Sequence, residues 1–201
     1  MVKIINVLLI CVLTLLLLSC TENPPTSITD NSAQSMSSAG AITFIPLPAS
    51  SSLKKEIQIS DSKAIDAEKG GKLEVSDTYQ GKNGTVTVSA KLTILADALP
   101  CDETLTMTLG EETLSGAVNV IFGPHGTKFV KPAILNIDAH GLDLSMIPPN
   151  ANVQLYYLNL DNNKYELMAV KKTSFDIKQG QIKCQDGQLP HFSRYAFGYV
   201  K

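Results

Sequence analysis

Between residues 53 and 201 the apolar positions recur at every second residue. Val86, Val88, Ala90, Leu92 and Ile94 alternate with Thr85, Thr87, Ser89, Lys91 and Thr93. Leu105, Met107 and Leu109 alternate with Thr104, Thr106 and Thr108, and the series Val118, Val120, Phe122 and Val153, Leu155, Tyr157 keep the same step. A period of two predicts strands with one buried face. Turn signals separate them: Gly81-Lys82-Asn83-Gly84, Gly123-Pro124-His125-Gly126, Pro148-Pro149-Asn150, Asp161-Asn162-Asn163 and Asp186-Gly187. No window predicts a helix longer than two turns, and residues 61–69 (DSKAIDAEK) support one short turn at most. The expected class is all-β, an antiparallel β-sandwich. About 150 residues in such a domain can bury a core of ordinary size. Near the C-terminus Tyr195, Phe197 and Tyr199 face one way, and Ala196, Gly198 and Val200 the other. That aromatic face predicts a strand central to the core.

The N-terminal pattern is different. Ile4 to Leu18 is apolar except for Asn6 and Thr14, and Lys3 is the only charge before Glu22. A positive start and an apolar run too short for the roughly 20 residues of a membrane span follow the grammar of a secretory signal. The run ends Leu17-Leu18-Ser19-Cys20, which resembles the lipobox of bacterial lipoproteins. The resemblance implies cleavage before Cys20, a thioether-linked diacylglycerol on its sulfur and further acylation, with palmitate as a typical chain. Two or three acyl chains hold a protein far more firmly than one. The alternative is an ordinary cleaved signal followed by an incidental cysteine.

Three parts are expected: a lipoprotein signal peptide over 1–19, the lipidated Cys20 with a flexible linker over 20–52, and the β-sandwich over 53–201. Residues 21–40 are dominated by Ser, Thr, Pro and Asn without an aromatic, too polar to order themselves. Such a coil spans about 25 Å on average and at most about 70 Å pulled straight. Thr21, rather than Asp, leans towards the outer membrane. The expected location is a cell membrane reached through lipid on Cys20, most simply the outer membrane at its periplasmic or surface face. The expected partners are that membrane and a protein of the envelope.

Charge narrows the rest. The chain has 17 basic and 19 acidic residues, a net charge of −2, only 18% charged residues, three His and no Trp. Loss of the signal removes Lys3 and no acid. Nothing here makes the basic footprint of a nucleic-acid binder, and Lys54-Lys55 and Lys171-Lys172 read as solvated faces or edge-strand protection. No cofactor and no metal is expected. His125, His140 and His191 lack ligand-pair spacing. Asn159, Asp161 and Asn163 begin like a calcium loop, but Lys164 stands in place of the glycine and Val170 in place of the bidentate Glu, so a hairpin turn is expected. Gly123 to Lys128 has the wrong spacing for a phosphate loop and reads as a turn. Cys11 leaves with the signal, so Cys101 and Cys184 remain. They either pair, worth about 4 kcal/mol on the chain-entropy model, or stay as two separate buried thiols.

Three blocks carry a resemblance over roughly residues 60–200: Gly70-Gly71-Lys72-Leu73, then FGPHGTKFVKPAILNI (122–137), then HFSRYAFG (191–198). In this order they resemble the ZU-five domain, the β-sandwich module of ankyrins, netrin receptors and zonula occludens proteins that also occurs in bacterial lipoproteins. One departure stands out. Where the family has a Pro-x-Gly-Ala-Leu turn after its second long strand, this chain has Ile94-Leu95-Ala96-Asp97-Ala98-Leu99 without the Pro and Gly, so a different turn is expected. The resemblance implies a module that binds proteins through its surface without catalysis. It also implies a second use, since some members cut themselves within His-Phe-Ser, present here as His191-Phe192-Ser193. In that reading the Ser193 hydroxyl attacks the Phe192 carbonyl carbon with His191 as general base, and water opens the resulting ester. In the structural reading Phe192 is a core residue, Ser193 bonds a neighbouring backbone group, and His191 is an exposed or satisfied polar residue at a strand entry.

Overall fold

The computed structural model describes residues 42–47, 59–81, 83–110, 118–159 and 164–200. The proposed signal, Cys20 and most of the linker lie outside them. The described chain is all strand and turn, with twelve strands: β1 (Ile42–Phe44), β2 (Ile59–Ile65), β3 (Gly71–Gly81), β4 (Gly84–Ile94), β5 (Glu103–Leu109), β6 (Asn119–Gly123), β7 (Lys128–His140), β8 (Gln154–Asn159), β9 (Lys164–Leu167), β10 (Val170–Asp176), β11 (Gln181–His191) and β12 (Arg194–Val200). They form two antiparallel sheets. One runs β2-β5-β6-β12-β8-β9, with β1 also on β12, and the other runs β10-β11-β7-β4-β3. The two sheets pack into a β-sandwich.

The alternation seen in the sequence is the alternation of the inner faces. Val86, Val88, Ala90, Leu92 and Ile94 of β4 are buried, as are Leu105, Met107 and Leu109 of β5. Val118, Val120 and Phe122 join them, and so do Tyr195, Phe197 and Tyr199 from β12. Strand β12 lies between β6 and β8, which gives the aromatic strand the central place its pattern predicts.

Two features differ from the sequence reading. Residues 42–47 belong to the sandwich rather than to a linker. Strand β1 pairs with β12 from Ile42↔Val200 to Phe44↔Gly198, and Ile45 is a core residue whose amide donates to Phe197 O at 3.0 Å and whose carbonyl accepts from Val118 N at 3.0 Å. Second, residues 61–65 extend a strand, and the turn in that stretch is the one closed by Gly70 N–H on Asp66 O at 2.8 Å. The β2 sequence is polar because it is an edge strand paired to β5 alone, with a mostly exposed face.

Register gives the sandwich two ends. Phe192–Ser193 lies at one, which we call the crossing end, with the Gly123–Thr127 turn beside it. At the other, the β1 end, stand the start of β1, the β3–β4 turn around Asn83, the loop 141–153 and the β10–β11 turn at 177–180. The 13 residues of β7 run from Lys128 beside His191 to His140 beside Thr87, so the two ends are about 40 Å apart.

Candidate functional site

Strand β11 belongs to the five-stranded sheet and β12 to the seven-stranded one. The chain passes between them at Phe192 and Ser193, so the His-Phe-Ser tripeptide is a sheet-to-sheet crossing. The crossing is held by backbone bonds to β6 and to the turn that joins it to β7. Phe192 N–H donates to Thr127 O at 2.7 Å, Gly126 N–H donates to Phe192 O at 3.3 Å, and Phe122 N–H donates to Ser193 O at 3.0 Å. That turn contains a cis Gly123–Pro124 bond, and the Thr127 hydroxyl donates to Glu103 Oε2 at 3.1 Å. The expected turn at Gly123 to Lys128 is therefore present, and it cradles the tripeptide.

The side chains divide by role. The Phe192 ring is buried, stacked on Phe122 at 5.0 Å and edge-on to Phe129 at 4.9 Å. Ser193 is buried as well. His191 is half-buried, with its ring 4.7 Å from that of Tyr157. Burial lowers the His191 pKa, against an upward pull from Glu166. At neutral pH the imidazole is held neutral, as either a base or a packed polar ring requires. A backbone bond at Phe192 favours the protonated ring. The Tyr195 hydroxyl donates to His191 O at 2.8 Å, and burial pushes its own pKa up.

Among the described residues the positive-φ positions other than glycine are Asp97 and Asp186, and the Phe192–Ser193 bond is trans. The crossing thus shows a donor on the Phe192 carbonyl.

His125, on the turn that cradles the tripeptide, lies close enough to His191 to oppose its protonation, and the other sequence candidates are dispersed. Cys184 is a free thiol buried on β11, with its pKa pushed up to about 12 by burial. It does not bridge to Cys101, which corrects that pairing. Cys184 faces the core midway along the five-stranded sheet, opposite Ile137, while Cys101 precedes β5 of the other sheet at the crossing end. His140 lies at the β1 end against Asp138, at 2.8 Å, far from His191, so the histidines do not converge. Among the described residues no group of His, Cys, Asp and Glu could hold a metal ion. Strands β8 and β9 pair antiparallel from Tyr156↔Leu167 to Asn159↔Lys164, and Asp161 and Asn163 of the expected turn lie outside the described residues. Lys171 and Lys172 are exposed on the edge strand β10. Lys54 and Lys55 lie outside the described residues.

Sequence reasoning did not find the backbone donors Phe122 and Gly126, the acceptor Thr127, or the rings of Tyr157 and Phe129 around the tripeptide. Backbone partners leave no mark on residue type, and only the turn at 123–126 hinted at them. Comparison with protein-family models, with curated proteins and with solved structures finds no match.

Proposed function

We propose that this chain is a lipid-anchored protein of the cell envelope, whose β-sandwich is a non-catalytic interaction and structural module of the ZU-five type. The observation that carries the anchor is the apolar run ending Leu17-Leu18-Ser19-Cys20. Support for a structural tripeptide comes from its bonding. Phe192 fills the core, and both its N–H and its C=O are bonded. Support for the family resemblance comes from the turn expected to differ. Asp97 takes φ 57° at the position where the family has glycine, and Asp is among the few residues that visit that region. Ala98 and Leu99 that follow are buried.

The test is Cys20→Ser in the native host. The variant should keep its signal sequence uncut or be cut elsewhere, incorporate no labelled palmitate, and fall at least about tenfold in the sedimenting envelope fraction, since acyl chains supply the anchoring. A Cys20→Ser protein that still sediments and still takes up palmitate overturns the anchor.

A second reading has one observation in its favour, the Gly126 N–H on the Phe192 carbonyl. Oxygen at that position gains negative charge when Ser193 Oγ attacks, and a donor already in place lowers the barrier. The Oγ–C bond would form, the C–N bond would break, and the Ser193 proton would pass to its own departing nitrogen. Water would then hydrolyse the ester. Intact mass under denaturing conditions decides it. Two fragments meeting at 192/193, abolished by Ser193→Ala, establish the cut. A single undiminished chain in the parent removes it.

A further inference from the structure

Exposed apolar side chains gather at separate places on the body. Val130, 72% exposed, stands near the crossing end, and Tyr165 and Leu167 stand on the β9 edge. Met146, 84% exposed, stands at the β1 end together with Val200 and Ile177. Contacts fix this last group in one place. The Tyr199 hydroxyl donates to Met146 O at 3.5 Å. A cavity of about 170 Å³ between the loop and β1 is lined by Phe44, Pro46, Asp143, Met146, Ile147 and Tyr199. Leu142 N–H donates to Gly180 O at 3.0 Å, which ties the 177–180 turn to the same loop. Asn83 Nδ2 reaches Asp143 Oδ2 at 3.3 Å from the β3–β4 turn.

Two carboxylates of this end are engaged by their own turns. Asp143 Oδ1 accepts from the Ser145 amide and hydroxyl at 3.2 and 2.6 Å. Asp176 Oδ1 accepts from the Lys178 and Gln179 amides at 2.9 and 3.1 Å. The loop tip itself, Ser145-Met146-Ile147-Pro148-Pro149, carries no charge.

We propose that the β1 end of the sandwich rests on the bilayer that holds Cys20, with Met146 as the leading side chain in the interface between headgroups and acyl chains. The inference rests on the lipid-anchor reading. The occupant follows from where the remaining chain joins the body. Residues 21–41 connect Cys20 to β1, and such a segment reaches at most about 70 Å and on average about 25 Å. The end nearest the joint therefore meets the surface first, while the crossing end is held about 40 Å beyond it. Tethering makes the contact intramolecular, so a weak interfacial affinity is enough to populate it. Methionine suits such a contact, being unbranched, polarisable and tolerant of irregular surroundings. The crossing end, with its exposed Val130, is left facing away from the lipid, towards partners.

The chain has no Trp, which makes single-tryptophan reporters possible at two exposed positions. Met146→Trp and Val130→Trp are made in the full chain, purified with the lipid attached and reconstituted in phosphatidylcholine–phosphatidylglycerol vesicles with brominated acyl chains. Emission from Met146→Trp should shift to the blue and fall by about half, as burial by about 5–10 Å predicts, and that from Val130→Trp should not change. Equal quenching of the two, quenching of Val130→Trp alone, or quenching of neither in protein whose intact mass shows acylated Cys20 overturns the orientation. A mass showing unmodified Cys20 overturns the anchor reading instead. The same pair is then compared with an N-terminal hexahistidine in place of residues 1–20, held by nickel-chelating lipid, and the same outcomes decide the orientation.

Discussion

Phe192→Ala should lower the stability of the sandwich by about 3–5 kcal/mol, the range for truncating a buried aromatic ring. The ring is buried between Phe122 and Phe129, so its removal leaves a cavity bounded by two other rings. These rings belong to β6 and β7, which are held in fixed register by β12 and β11, so the space cannot close by a small shift of one strand. The loss is that of the ring alone, because the bonds to Thr127 and Gly126 are made by main-chain atoms that alanine keeps. Urea unfolding at an unchanged m-value measures the effect. A loss below about 1 kcal/mol would mean that the ring is not a core element. His191→Ala, which trims a half-buried ring outside that stack, should cost only about 1 kcal/mol. The contrast separates the structural role of the tripeptide from its chemistry, since destabilisation by Phe192→Ala is expected whether or not the chain cuts itself.

The inner faces were legible because each buried strand repeats its apolar residue without interruption, as β4 does from Val86 to Ile94. The sequence could not show which strand pairs with which. Tyr195, Phe197 and Tyr199 marked β12 as a core strand, but its neighbours β6, β8 and β1 come from three separate parts of the chain. Edge strands were the least legible. In β2 the residues Ser60, Asp61, Ser62 and Lys63 alternate no apolar face because one face is largely open to solvent. The strand exists through its ladder with β5 and through cross-strand bonds such as Ser60 Oγ to Thr108 Oγ1 at 2.8 Å. Strand β1 was hidden for a related reason. Three residues beside a Ser-rich segment give no period, and only the burial of Ile45 ties them to the core. At the crossing the residue types of the tripeptide were visible. Its surroundings were not, because Gly126, Thr127 and Phe122 act there through backbone atoms that every residue carries.

Gly141→Ala should cost about 3 kcal/mol, made of a positive-φ penalty of about 1–2 kcal/mol and a backbone collision that must be relieved elsewhere. Gly141 follows the last residue of β7 at φ 74°, and a Cβ there would fall on the carbonyl oxygen of Thr85, with Val86 Cα 3.2 Å away. Neither atom can swing aside freely, since both belong to the start of β4, where Thr85 and Val86 pair with Gln80 and Tyr79 of β3 just before the ladder with β7 begins at Thr87. In a domain of this size the melting temperature should fall by about 6–12 °C. Gly126→Ala is the matched comparison. It has a similar positive φ, 87°, but its Cβ meets nothing within 4 Å, so it tests the conformational penalty without the collision. Equal losses for the two would show that β4 yields at Thr85 and that the close approach is not a constraint. The position also bears on the loop proposed to face the membrane. Gly141 sets the direction in which residues 141–153 leave β7, and with it the placing of Leu142 on Gly180 and of Met146 over Tyr199. A variant that stays folded in dilute conditions yet loses lipid quenching at Met146→Trp would show that the tip is presented by this turn, and that the anchor alone does not orient the body.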